Sequence, residues 1–390
     1  MLLFVTCALR NLAYGMTSVI LGLYLADIGL DRTRVGWVFA AALAGGALLT
    51  IVLTSIADRW GRRRVVLLSA GLMAVSSAGF LFTSDLSLLV FAAALGAVNP
   101  SSKDIGPFLS IEQAVLPQVS PSNRRTASFA AYNMVGSFSG AMGALLVGAP
   151  AVLGLSALAG YRAVLWTNVA LACALTVLYT RLSPKVELAV PASGERAGLR
   201  ESRGVVARLA GLFAVDAFAG AFVVQGIMAY WLTLRFGVSV ANLGAIFFGT
   251  NLASALSFLA AAPLAKRIGL LNAMVFTHLP SNVLLLLVPL MPALAPAVAV
   301  LLVRNLLSQL DVPTRQSYVM AIVQPSERSA AAGVTAVARN GAAAIAPAFT
   351  GATLAVPALG LPFLIAGTLK IAYDLTVLFT FRRLRPPEER

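Results

Sequence analysis

Long apolar runs alternate with short polar loops along the whole chain, and within the runs apolar residues follow one another without a strand's every-other-residue rhythm. A helix needs about 20 apolar residues to cross a hydrocarbon core of about 30 Å. Twelve stretches meet that length or come close to it: 3–26, 35–57, 65–83, 87–118, 126–153, 162–181, 209–234, 242–264, 269–290, 294–323, 329–354 and 360–381. The pattern predicts an all-α membrane protein, because a helix satisfies its backbone polar groups internally where no water can reach them.

Composition agrees. Of 390 residues, 59% are hydrophobic and only 11% charged, where a soluble domain carries about a quarter charged. The first apolar run lacks a small-residue cleavage pattern and is followed directly by a second, so it is expected to be helix 1 and not a removed signal peptide.

The net charge of +14 changes the picture only through its placement. If both ends lie on one side, the loops of that side hold 19 of the 29 lysines and arginines, the opposite loops hold 4, and 6 lie within the runs. By the positive-inside rule both termini are expected in the cytoplasm, in a cytoplasmic (inner) membrane, and the charge sets topology instead of marking a nucleic-acid partner. Cys7 and Cys173 both fall inside runs, so neither a disulfide framework nor a cysteine metal site is expected.

The polar stretch 183–208 divides the runs six and six, which predicts an N-terminal bundle over 1–182, a cytoplasmic linker over 183–208 and a C-terminal bundle over 209–390. Residues recur between the halves. Gly29 and Gly237, Gly36 and Gly244, Arg59 and Arg267, and Gly61 and Gly269 are each 208 apart, and the "PSNR" ending at Arg124 matches the "PSER" ending at Arg328 at a spacing of 204. Internal repeats of this kind are a transporter signature.

The loop "TSIADRWGRRR" carries Asp58, Arg59, Gly61, Arg62, Arg63 and Arg64 and resembles the signature loop of the major facilitator superfamily; Thr54 stands where a glycine is usual. The second-half copy "APLAKRIGLLN" keeps Arg267 and Gly269 but has Lys266 in place of the acid. The resemblance implies two pseudo-symmetric six-helix bundles around a central cavity bordered by helices 1, 4, 7 and 10. It also implies a conformational role for the loop, with Asp58 approaching the start of the helix that begins at "PSERSAAAGV". A carboxylate at a helix N-terminus is favoured by the dipole, and the arginines anchor the loop to anionic headgroups.

Ionisable residues at membrane depth are costly and therefore functional candidates. Nine precede the last helix: Arg10, Lys103, Asp104, Glu112, Asp216, Arg304, Asp311, Arg315 and Arg339. Asp104 precedes Pro107, and Asp311 precedes Pro313, so each half offers an acid beside a proline-interrupted segment, a sequence pointer to a binding region. Asp216, Asp104, Glu112 and Asp311 are the candidates for proton coupling. Asp216 leads because no opposite charge lies within a turn of it, which suits a group that takes and releases a proton; Arg10 is a candidate partner or a residue that snorkels to the surface. Arg10, Asn11, Lys103, Gln225, Arg304, Gln309, Arg315 and Arg339 are the candidate substrate-cavity residues. Lys370 and Asp374, four apart on the last helix, are expected to neutralise each other, and the single histidine, His278, to be a packing residue.

Glycines 136, 140, 143 and 148 on the fifth run are similar to a drug/proton antiporter motif, although Ala141 replaces its proline, and they equally suit close helix packing. No phosphate-binding glycine loop and no nucleophile–base or metal constellation is visible, so a gradient-driven transporter is expected and not an enzyme. The expectation is a monomer in the bilayer, with no cofactor and no metal, that takes a small-molecule solute and protons or another coupling ion. Proton-coupled efflux of an amphipathic or drug-like compound is one reading, uptake or exchange of a small organic anion a second, and a non-transporting receptor on the same scaffold a third.

Overall fold

The structure is a computed structural model and describes residues 2–95, 98–102, 107–119, 125–183, 187, 201–324 and 327–384. Its order is α1 (Leu2–Asp27), α2 (Arg32–Trp60), α3 (Arg62–Phe82), α4 (Leu86–Ala94), α5 (Pro107–Val119), α6 (Arg125–Leu146), α7 (Ala149–Val152) and α8 (Ala157–Thr180). It continues with α9 (Arg203–Ala221), α10 (Gln225–Phe236), α11 (Val240–Ile268), α12 (Leu270–Leu287), α13 (Leu294–Ser308), α14 (Asp311–Ile322), α15 (Arg328–Ile345), α16 (Thr350–Thr353) and α17 (Leu361–Phe381). No strand occurs among the described residues.

Ten stretches are long and apolar enough to cross a membrane among the described residues, against the twelve expected. The window 87–118 is divided between α4 and α5, of 9 and 13 residues, and each is too short alone. The window 329–354 holds the 18-residue α15, which contains Arg339 and gives way to a 3-10 turn at Ala346–Phe349. Two other expected runs are interrupted: 209–234 is α9 and α10, separated by 222–224, and 294–323 is α13 and α14, separated by 309–310. The two prolines singled out beside acids do not kink their helices. Pro107 opens α5 and Pro313 lies in the first turn of α14, where a missing N–H costs nothing.

Local chemistry explains several helix starts. Asp31 accepts from the Thr33 and Arg34 amides at 2.9 Å and caps α2, and Asp85 accepts from Leu88 at 3.1 Å and caps α4. Helix α2 ends and α3 begins at Gly61, whose φ of +105° excludes most L side chains; Gly269, at φ +86°, makes the same junction between α11 and α12. The 208-residue spacing therefore relates positions with the same backbone duty. Gly29 and Gly237, which follow α1 and α10, share positive φ as well.

The chain divides into two compact units. The first comprises 1–193, 224–248 and 347–352, and the second 194–223, 249–346 and 353–390. In the first, α1 packs on α6, α8 and α10, and buried Tyr14, Phe108, Tyr132 and Tyr179 form part of one apolar core. The α6 glycines explain its contact with α1: a Cβ on Gly15 would collide with the Gly140 carbonyl, and one on Gly143 with the Leu12 carbonyl. The fifth-run glycine pattern thus serves close helix packing. In the second unit α9 packs on α15 and α17, and α12 on α13, α14 and α17, around Phe213, Met274, Tyr318 and Tyr373.

Candidate functional site

Two polar clusters interrupt these cores, one in each unit. In the first unit Arg10 of α1 meets Glu112 of α5 bidentately, Nη1 to Oε1 at 3.1 Å and Nη2 to Oε2 at 2.9 Å, with side-chain exposures of 0% and 1%. The Thr6 hydroxyl donates to Oε1 at 2.9 Å, the Tyr179 hydroxyl of α8 to Oε1 at 2.8 Å, and the Tyr132 hydroxyl of α6 to Oε2. The guanidinium lies 4.9 Å from the centroid of Phe108, which itself stacks on Tyr179. Both carboxylate oxygens and both terminal guanidinium nitrogens therefore have partners, which is the condition for holding an ion pair in a dry core. Arg10 does not snorkel, because Glu112 of its own unit takes its charge.

The second cluster centres on Asp216 of α9. Lys370 of α17 donates to Oδ1, while Arg315 of α14 and Arg339 of α15 donate to Oδ2 at 3.3 and 3.1 Å. Arg315 also donates to Asp311 at 2.8 Å, one turn before it on α14, and stands 5.5 Å from the centroid of Phe213. The expectation of an isolated Asp216 is overturned: its partners come from helices that sequence distance hides. The expected Lys370–Asp374 neutralisation gives way too. Lys370 turns to Asp216, and Asp374 takes His278 Nδ1 at 2.8 Å and Asn282 Nδ2 at 2.8 Å.

Arg304 of α13 makes no ion pair within 4 Å among the described residues, and its Nε is buried without a hydrogen-bond partner. Arg304 interacts electrostatically with Asp311 and Asp216, so among the described residues the cluster around Asp216 holds four cations, Arg304, Arg315, Arg339 and Lys370, and three carboxylates, Asp216, Asp311 and Asp374. Arg339 retains a side-chain exposure of 30%, where Asp216, Arg315 and Lys370 keep less than a tenth.

The other candidates are spread out. Asn11 donates to the Cys7 carbonyl at 2.9 Å, Gln225 to the Ser18 hydroxyl at 2.9 Å and Gln309 to the Ser308 hydroxyl at 3.2 Å, all bonds that fix helices. Lys103 and Asp104 lie outside the described residues, as do the side chains of Asp58 and Arg59. At the signature loop the Arg62 and Arg63 amides donate to Glu187 at 2.7 and 3.1 Å, which puts the Glu187 carboxylate at the start of α3 beside Gly61. In the second unit Glu327 accepts from the Glu201 and Ser202 amides at 3.0 and 2.9 Å, at the entry to α9. Among the described residues no group of three His, Cys, Asp or Glu side chains is placed to hold a metal.

Sequence reasoning missed His278, Asn282, Lys370 and Asp374 as members of one site. The available signal was the pairing of polar residues one turn apart, 278 with 282 and 370 with 374, on otherwise apolar helices.

Comparison with known proteins places this geometry in context. A model of the Major Facilitator Superfamily matches residues 3–347. An uncharacterized membrane protein of Saccharomyces cerevisiae, YJR124C, is 29% identical over 417 residues, spanning 97% of this chain and 93% of the yeast protein. Among solved structures, the nucleoside transporter NupG superposes with a TM-score of 0.74 at 15% identity, covering 98% of each chain. A D-xylose-proton symporter superposes with a TM-score of 0.73 at 15% identity, covering 96% of each chain. The all-helical fold and the family are those of membrane transporters, and the chain belongs to the major facilitator superfamily.

Proposed function

We propose that the chain is a proton-coupled secondary transporter that moves a small solute across the cytoplasmic membrane by alternating access, exporting an amphipathic or drug-like compound. The observation that carries the reading is the ion-pair network around Asp216. Five helices, α9, α12, α14, α15 and α17, contribute charged or titratable side chains to it, and all but α15 belong to stretches long and apolar enough to cross a membrane. Apolar residues of similar volume would pack there at little cost or with a gain, so stability alone does not account for such a network. A carboxylate shared among several cations supplies discrete alternative pairings, which is what a cycle between two states needs. Asp216 is the hub through which coupling acts. Asp311 and Glu112 hold Arg315 and Arg10 in place, and Asp104 is a further coupling candidate on the sequence alone.

Orientation follows the loop arginines, with both termini cytoplasmic. The signature loop Asp58, Arg59, Gly61, Arg62, Arg63 and Arg64 is the conformational element, and the linker 183–208 contributes Glu187 to it. The two functional halves are 1–182 and 209–390.

A second reading, uptake or exchange of a small organic anion, is favoured by the excess of cations around Asp216 and by the Arg304 Nε left without a partner. Purified protein in proteoliposomes, offered a panel of amphipathic cations, organic anions, D-xylose and uridine, tests both. Flux that responds to an imposed pH gradient supports the transporter, and the responding solute selects the reading. Stabilisation of the purified protein by a solute that never crosses would overturn it in favour of a receptor.

A further inference from the structure

We propose that Arg304 and Arg339 form a binding site for one anionic group of a small solute, a carboxylate or a phosphate, and that the Asp216 carboxylate is its internal competitor for Arg339. This deepens the second reading above, on which its place in transport rests. As a binding site it stands on the charges and contacts of the second unit.

Each carboxylate of the cluster is already engaged. Asp311 accepts from Arg315 at 2.8 Å, and Asp374 meets His278 Nδ1 and Asn282 Nδ2, both at 2.8 Å. Asp216 is shared: Lys370 donates to Oδ1, and Arg315 and Arg339 donate to Oδ2 at 3.3 and 3.1 Å. With no carboxylate within 4 Å among the described residues, Arg304 feels Asp311 and Asp216 only at longer range, and its Nε is enclosed without a hydrogen-bond partner. Four cations thus face three carboxylates among the described residues. A proton on His278 or on Asp374 only adds to that positive excess.

The two arginines play different parts. Helix α13 is tied to its neighbours at the position of Arg304: the Ser281 hydroxyl of α12 donates to the Arg304 carbonyl at 3.4 Å, and the Ser254 hydroxyl of α11 to Asn305 Oδ1 at 3.1 Å. The backbone is fixed while the guanidinium is left without an ion pair, a costly state inside an apolar run that an arriving anion relieves. Arg339 is the accessible member, more exposed than Arg315 or Lys370. Its one carboxylate among the described residues is Asp216, at an oxygen it shares with Arg315, whose like charge repels it. Arg315 has Asp311 as a second partner and Arg339 has none, so Arg339 is the cation that an incoming anion can take over. A guanidinium offers paired N–H donors that match two oxygens of a carboxylate or phosphate, which is why those groups are named. Asp216 fills that role for Arg339 from inside and therefore competes with the ligand.

Thermal unfolding of the purified protein in detergent reads the site without any flux. Sodium benzoate and inorganic phosphate are the anionic probes and benzamide the neutral control, with ionic strength held at about 0.15 M. A ligand that binds only the folded state raises the midpoint. Benzoate, phosphate or both are expected to raise the wild-type midpoint saturably and benzamide is not, and the probe that acts distinguishes carboxylate from phosphate. In Arg304→Gln and in Arg339→Gln, each read against its own ligand-free midpoint, the concentration giving half the shift is expected to rise about tenfold or more, the loss of one charge-assisted contact. Arg304→Gln removes an unpaired charge and is expected to fold at least as well as the wild type, so it decides the matter even if a variant at Asp216 does not fold. In Asp216→Asn, which removes the competitor, the same concentration is expected to fall, a direction that a merely structural Asp216 would not give. The proposal is overturned if neither anion shifts the wild type more than benzamide does, if Arg304→Gln keeps the wild-type response, or if Asp216→Asn binds more weakly. Anion flux in proteoliposomes with no anion effect on unfolding sinks this site and leaves the transport reading standing; stabilisation without flux does the reverse.

Discussion

Arg10 Nη2 and Glu112 Oε2 lie 2.9 Å apart in a core that leaves both side chains dry, although 102 residues separate them in sequence. Removing one partner leaves a buried charge without compensation, which costs about 3–5 kcal/mol, whereas removing both is far cheaper. Arg10→Met and Glu112→Leu are each expected to lower the thermal unfolding midpoint sharply in detergent. The double variant is expected to recover most of the loss. If the two effects simply add, the pair is not the coupled unit described here.

Around Asp216 the same logic predicts a ranking. Asp216→Ala strands Lys370, takes the carboxylate from Arg339 and leaves Arg315 with Asp311 alone, and is expected to destabilise by about 3–5 kcal/mol. Arg339→Ala is expected to be much milder, because Arg339 alone of the three donors keeps a substantial water-accessible fraction, 30%. Thermal unfolding of the two variants side by side checks the order.

The α1–α6 contact depends on hydrogen atoms where other residues carry methyl groups. Gly15→Ala would press a Cβ into the Gly140 carbonyl, so about 1–3 kcal/mol of destabilisation is expected. Gly71→Ala on α3 meets nothing within 4 Å and is expected to be neutral or stabilising by up to about 1 kcal/mol through helix propensity. Equal unfolding midpoints for the two variants would contradict the packing.

At the signature loop, Gly61→Ala and Gly269→Ala each force an alanine into positive φ at about 1–3 kcal/mol. Glu187→Ala is expected to accelerate hydrogen exchange at the Arg62 and Arg63 amides, which lose their acceptor, while the Glu201 and Ser202 amides held by Glu327 keep their protection.

Much of this protein is legible in its residue order. Apolar runs the length of a bilayer specify helices because backbone polar groups have no other partner in lipid. The 208-residue spacing found glycines whose shared positive φ the structure displays at 61 and 269 and at 29 and 237. The helices that carry charge could also be named, because any ionisable residue inside such a run is conspicuous.

From residue order alone, then, come the buried charges and the helices that bear them; which charge meets which emerges only from the packing of those helices. Asp216 looked solitary because its partners stand 99, 123 and 154 residues away, and Lys370 looked paired with Asp374 because one helical turn separates them. Burying a charge is penalised wherever its helix lies, so the penalty is visible locally. The compensation requires direct contact at about 3 Å, and a contact that short is set by how α9, α12, α14, α15 and α17 come together.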